Sequence, residues 1–206
     1  MNDLHIILDI DQTMLDNMSY QDYHRNKNHL RKPDFIENDI CIWMRPKLIQ
    51  FLKFLDKNVK YISIWTNGSS SWLQFVVQKI LSKYIPHNRF HLLLSIDFST
   101  PLVIDKSRVF IKDTSKIFLK FPNKNVNMNN TVLIDDNYHN CTYNKHNSLP
   151  IKKYFVMDEL KNKKLEKDFE FIMQIINVLK RSKNVSETLK NVYAGLENYD
   201  KLFSSH

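Results

Sequence analysis

The sequence predicts an α/β fold, an open parallel sheet with helices on both faces, and three observations carry that prediction. His5-Ile6-Ile7-Leu8 is a short, mostly apolar run that stops abruptly at Asp9 and Asp11, as a buried parallel strand does where it reaches a ligand site. Thr131-Val132-Leu133-Ile134 repeats the form and runs into Asp135 and Asp136. Between the two, short apolar runs alternate with stretches whose apolar residues recur at helical spacing.

The first turn holds the chemistry. Asp9 and Asp11 can point the same way where the backbone leaves the strand after Leu8. Two carboxylates that close repel unless a cation sits between them or one holds a proton. The pair therefore points to a divalent metal, to an acid and a base with divided duties, or to both. Ordinary turn acids are the plain alternative, because Asp commonly follows a strand. Residues 16–33 read as a polar, irregular loop with the basic run His24-Arg25-Asn26-Lys27-Asn28-His29-Leu30-Arg31-Lys32. Such a run is a solvated surface, or it holds an anionic substrate beside the site.

Residues 39–44 read as a strand, and Pro46 opens a helix that carries Leu48, Phe51, Leu52 and Leu55 on one face and ends near Asn58. Residues 59–65 form the next strand. It leads into Thr66-Asn67-Gly68-Ser69, where free N–H groups and the Thr66 hydroxyl can donate to a phosphate. The serines at 69–71 are N-caps in their own right. Trp72, Phe75, Val76, Ile80 and Leu81 mark a core-facing helix. Residues 91–98 and 103–105 read as short strands or as a small insertion near 85–108 at the sheet's end. Residues 109–113 form another strand, with Lys112 at its tip. A polar loop fills 123–130, and residues 153–156 read as a last strand. Phe169, Ile172, Met173, Ile176 and Leu179 carry an amphipathic helix, and residues 181–184 a linker. Leu189, Val192, Tyr193, Leu196 and Tyr199 form a final helix, interrupted by Gly195, that docks on the core.

A second strand ending in paired acids suggests that the two ends share one cation. A ligand set made only of oxygens points to Mg2+. His5, His87, His91 and His139 have no zinc-type spacing.

Composition sets the surroundings. At 206 residues, 43% hydrophobic and 12% aromatic, the chain can bury one substantial core. Its two cysteines, Cys41 and Cys141, lack a metal or redox spacing and suit a reducing compartment. The chain enters its first strand almost at once and has no apolar run of membrane length. The expectation is an intracellular protein, cytoplasmic or nuclear, not secreted and not membrane-bound. A net charge of +8 attracts polyanions such as nucleic acid, phosphoprotein or acidic lipid. Lysine-rich and asparagine-rich usage accounts for that charge equally well.

Four pieces stand in the order of the four motifs of the haloacid dehalogenase superfamily: Leu-Asp9-Ile-Asp11-Gln-Thr13, Ile-Trp-Thr66-Asn-Gly, Ile-Lys112-Asp-Thr-Ser and Leu-Ile-Asp135-Asp136. Arg45-Pro46 before a Phe-Leu-rich helix, and Lys112-Asp113-Thr114-Ser115-Lys116, narrow the match. Over roughly residues 4 to 180 the chain resembles the phosphatases of the RNA polymerase II C-terminal domain, both the small type and the type associated with a general transcription factor. The fourth motif departs from the family's in continuing with Asn137-Tyr138-His139.

The resemblance implies a Rossmann-like sheet without a separate cap domain. It implies a catalytic domain over 1–182 and a helical extension over 183–206. It also implies Asp9 as nucleophile, Asp11 as general acid and base, and Thr66, Asn67 and Lys112 around the phosphate. Mg2+ would sit on Asp9, the Asp11 carbonyl and Asp136, with Asn137 or Asp135 as alternatives to Asp136, while Thr13 and Asp135 support from behind. The implied function is hydrolysis of phosphoserine or phosphothreonine in a protein, a polymerase tail among the candidates. Two rivals stand beside it: a phosphatase for nucleic-acid ends or small phosphate esters, and a phosphatase-like scaffold that binds without turnover.

Overall fold

The computed structural model describes residues 3–159 and 167–194. The chain starts with β1 (His5–Leu8), β2 (Leu15–Ser19) and α1 (Tyr20–Asn26). It continues through β3 (Phe35–Glu37), β4 (Ile40–Met44) and α2 (Leu48–Asn58). Next come β5 (Tyr61–Trp65), α3 (Ser70–Phe75) with a π-helical continuation over Val76–Ile80, and β6 (Phe90–Leu94). β7 (Thr100–Ile104), β8 (Ser107–Ile111), α4 (Thr114–Lys120) and β9 (Thr131–Asp135) follow. α5 (Tyr138–Tyr143), β10 (Ser148–Pro150), α6 (Asp168–Leu179) and α7 (Val185–Ala194) complete the described chain.

Five parallel strands form the central sheet in the order β10-β9-β1-β5-β6. β1 is the middle strand, paired in register with β5 on one side and β9 on the other. Burial on both faces explains its lack of polar alternation: Ile6 and Leu8 join the large core under α2, α3, α6 and α7, while Ile7 joins the smaller core under α4. From β1 the chain builds outward through β5 and β6, then returns to the far side for β9 and β10. The order thus reverses between β1 and β9, and an open α/β sheet binds its ligand at the carboxyl ends beside such a reversal. Phe51 on α2 stacks on Phe169 of α6 with centroids 4.4 Å apart. Truncating either ring to Ala would cost about 3–5 kcal/mol.

Two expectations, at 16–33 and 153–156, need correction, and the strands read at 39–44 and 109–113 stand but lie outside the main sheet. Residues 16–33 are not an irregular loop: they contain β2 and α1, which Ser19 caps by accepting the Asp22 N–H. The strand at 40–44 lies outside the main sheet, as the middle of a small antiparallel sheet ordered β2-β4-β3. The strand ending before Lys112 is one arm of the β7–β8 hairpin, also antiparallel. The expected insertion is therefore divided, with Phe90–Leu94 pairing to β5 as a sheet edge and only the stretch after it forming the hairpin. Finally, residues 153–155 have no regular structure, and the last strand is β10. Tyr154 and Val156 are apolar and buried for another reason, because they pack on Cys41 and Trp43 beneath the small sheet.

Val185, Leu189 and Tyr193 of α7 are buried in the large core, and the Tyr193 hydroxyl donates to the Ser148 carbonyl on β10. The expected positions of Gly195, Leu196 and Tyr199 lie outside the described residues. Among the described residues no helix is long and apolar enough to cross a membrane.

Candidate active site

Strand periodicity brings the acids together. Side chains two apart share a face, so His5, Ile7 and Asp9 line one side of β1, and Thr131, Leu133 and Asp135 line the same side of β9. The ladder continues past the end of β1, since the Asp9 N–H donates to the Ile134 carbonyl at 3.0 Å. Carboxylate oxygens of Asp9, Asp135 and Asp136 lie within 4.8 Å of one another.

Lys112 enters from the end of β8. Its ammonium donates to Asp9 Oδ1 and, at 2.7 Å, to Asp135 Oδ2. A lysine that is only 1% exposed is expensive to bury, and two carboxylates hold it there. Two asparagines of the α5 region fix this arrangement, and sequence reasoning missed both. The Asn140 amide donates to both Asp135 oxygens at 3.1 Å, and its oxygen accepts the Lys112 N–H at 3.0 Å. Asn144 donates to the Lys112 carbonyl at 2.7 Å and accepts both the N–H and the hydroxyl of Thr114. Their spacing of four residues, right after the acid pair, puts both on one helix face and was the available signal.

Asp135 and Asp136 are adjacent and do different things. Asp135 Oδ1 accepts the Asn137 N–H as well as Asn140, so both its oxygens are engaged by protein donors. Asp136 turns toward the first loop, where it accepts the Thr13 hydroxyl at 2.9 Å and donates its own N–H back to Thr13 Oγ1 at 3.1 Å. The Asn137 side chain caps α5 by accepting the His139 N–H.

Asp11 stands on the other side, toward β5. The Thr66 hydroxyl donates to its Oδ2 at 2.9 Å, and the Trp72 indole N–H donates to its Oδ1 at 3.0 Å. Thr66 in turn accepts the Gly68 N–H at 2.8 Å. Glycine is required at 68 by close approach, because a Cβ there would lie 2.5 Å from Trp72 Cδ1. The Asn67 side chain is occupied in tying this turn to the hairpin: it donates to the Phe110 carbonyl at 2.8 Å and accepts the Ser99 hydroxyl at 2.7 Å. Trp72 was read from sequence as a core residue, a reading that omits the bond of its indole N–H to Asp11.

Electrostatics set this cluster apart. Burial pushes the Asp9 carboxyl up to about 7; Lys112 pulls it down, and Asp136 and Asp11 add to the rise. Burial likewise raises Asp135 to about 6 against the pull of Lys112, and raises Asp136, helped by the charge of Asp135. Burial works against the charge on Lys112, but Asp135 and Asp9 outweigh it and hold the ammonium protonated. One cation thus serves two buried acids and a half-buried one. Asp9 and Asp136 bring carboxylate oxygens within 4.8 Å of each other, and two ionised carboxylates that close repel unless a proton or a cation sits between them. An excess of hard oxygen donors around a position of unmet negative charge fits Mg2+.

A family model described as NLI interacting factor-like phosphatase matches residues 4–186. No curated protein matches the sequence significantly. Among solved structures, a haloacid dehalogenase superfamily hydrolase from Ehrlichia chaffeensis aligns at a TM-score of 0.51 and 15% identity, covering 86% of this chain and 98% of its own. That likeness is one of fold. The fission yeast RNA polymerase II CTD phosphatase Fcp1, bound to beryllium fluoride, aligns at a TM-score of 0.48 and 18% identity over 93% of this chain. A second structure of Fcp1, described as an essential RNA polymerase II CTD phosphatase, aligns at 0.49 and 17% over 96%. The chain spans 62% and 63% of the length of those two proteins.

Proposed function

The chain belongs to the NLI interacting factor-like phosphatase family, and on that premise we propose that it is a Mg2+-dependent phosphatase that hydrolyses phosphoserine or phosphothreonine in proteins through an aspartyl-phosphate. The observation that carries the reading is the meeting of Asp9, Lys112 and Asp136 at the reversal point of the sheet.

Each residue has a role its surroundings suit. Asp9 attacks phosphorus in line, and the bond from phosphorus to the alkoxide oxygen breaks as the bond to Asp9 forms. Asp11 gives its proton to the departing alkoxide, then takes one from a water molecule, whose oxygen displaces Asp9 and releases phosphate. Lys112, fixed by Asp135 and Asn140, offsets charge on the non-bridging oxygens. The Thr66 hydroxyl completes the phosphate cradle, with Asn67 holding its turn in place. Mg2+ held by Asp9, Asp136 and the Asp11 carbonyl would neutralise the approach of two anions. Asp136 is favoured over its neighbours because Asp135 is engaged with Lys112 and Asn140, and Asn137 with the start of α5. Thr13 then orients Asp136 from behind.

The test is a substrate panel assayed with and without Mg2+. Phosphoserine and phosphothreonine peptides, a polymerase-tail repeat among them, should exceed a 5′-phosphorylated oligonucleotide in kcat/KM, and chelation should abolish turnover. Faster release of phosphate from the oligonucleotide would replace the protein substrate with nucleic-acid ends. No turnover of any ester would leave a binding scaffold.

A further inference from the structure

We infer that Trp72 is a positioning residue for Asp11: its indole N–H occupies Oδ1 and thereby assigns the transferable proton to Oδ2, the oxygen facing the Thr66 hydroxyl. This rests on the phosphatase reading above and adds to it which atom does the proton transfer.

The argument is one of donors and acceptors. An indole nitrogen can only donate, and so can the amide nitrogen of an asparagine side chain. Both groups that meet Asp11 Oδ1 are of this kind, Trp72 Nε1 at 3.0 Å and Asn17 Nδ2 at 3.4 Å. A proton on Oδ1 would therefore point at two donors. Oδ2 meets a hydroxyl at 2.9 Å, which can donate to a carboxylate or accept from a carboxylic acid. The two oxygens of Asp11 are thus chemically distinct before any substrate arrives. When Asp11 is protonated, the proton lies on Oδ2 against the Thr66 hydroxyl, and the same oxygen delivers it to the alkoxide and recovers it from water.

The indole is itself held in place. Ser69 accepts the Trp72 N–H at the start of α3, the ring stacks on Phe75 with centroids 5.7 Å apart, and Gly68 leaves room for its edge. Three local contacts therefore aim one N–H at one carboxylate oxygen.

Leaving-group dependence tests the assignment. A serine alkoxide is a poor leaving group and needs the proton of Asp11, whereas 4-nitrophenolate departs without it. General acid catalysis contributes on the order of 10²–10⁴ in rate, so a misplaced acid should forfeit a measurable part of this on the peptide alone. Trp72→Phe keeps an aromatic ring against Phe75 and removes the N–H. With Mg2+ present, kcat/KM should fall roughly tenfold more on a phosphoserine peptide than on 4-nitrophenyl phosphate. The ratio of the two values does not depend on how much of the variant is folded, so a destabilised protein still answers the question. Equal losses on both substrates, or no loss on either, in an enzyme whose wild type is active would overturn the role of Trp72 and leave the phosphatase reading intact. A wild-type protein inactive on both substrates would overturn that reading and this inference with it.

Discussion

The two ends of β1 carry buried polar clusters of opposite character. At its entry, His5 is fully buried, with ring nitrogens 2.7 Å from the Ser63 hydroxyl and 3.2 Å from the Thr131 hydroxyl. Burial, with a contribution from His91, lowers its pKa to about 3, so the ring is neutral and paired on both sides. At its exit, Asp9 is as deeply enclosed but shares one lysine with other acids and is pushed up to about 7. Both clusters sit on the same face of the same strand, four residues apart. Burial of polar groups does not by itself mark a site; unmet charge does. A satisfied neutral network holds strands in register, while an acid cluster that still needs a cation is prepared for a ligand.

The sharpest way to break this comparison is Asp9→Asn. It should remove turnover by on the order of 10⁴-fold or more and leave the melting temperature unchanged or higher, because a buried charge conflict is relieved. Residual phosphatase activity near the wild-type level would take the nucleophile's role from Asp9. Asn140→Ala comes next. It strips two donors from Asp135 and the acceptor for the Lys112 N–H, and should cost about 3 kcal/mol in denaturant unfolding together with most activity. If stability falls while kcat/KM holds, Asn140 braces the fold alone.

The opposite end gives smaller effects with a definite sign in pH. His5 ordinarily titrates near 6.5 and in the folded chain near 3, so the unfolded state binds the extra proton. Its contribution is fully present above the ordinary value and is lost as pH falls toward the folded one, by about 1.4 kcal/mol per pH unit. Urea unfolding of wild type and His5→Gln should therefore show a stability gap that narrows by about 2 kcal/mol between about pH 6.5 and about pH 5. A gap independent of pH would mean that His5 titrates alike in the folded and unfolded chain. Ser63→Ala, the smallest change, removes the partner of His5 and of the Leu92 N–H at a cost of about 1 kcal/mol. Its kcat should stay within about twofold of wild type, and a larger drop would show that the two ends are coupled.

The strands bearing the acids were legible in sequence for a physical reason. Burial on both faces makes β1 and β9 mostly apolar runs, and each leads into a pair of acids. β2 and β4 were harder, because their small sheet is partly exposed and its sequence mixes Asp16, Asn17 and Ser19 with apolar residues. Residues 153–156 misled because apolar residues that pack irregularly have the composition of a strand. Asn140 and Asn144 left only their four-residue spacing as a signal, since an asparagine on a short helix usually faces water and that spacing does not show that these two are buried. Trp72 was half legible: its spacing placed it on the core side of α3, but only the fold brings its indole to Asp11, 61 residues away in sequence.

The contact of Tyr193 with Ser148 has a reach beyond the helix that makes it. The Ser148 hydroxyl donates to the Cys141 carbonyl at 3.0 Å, and Cys141 neighbours Asn140, which grips Asp135. A chain cut ahead of α7 would thus lose a buttress and not an ornament. Damage to that distant helix should be felt first in the Asp135–Lys112 pair, before the sheet itself comes apart.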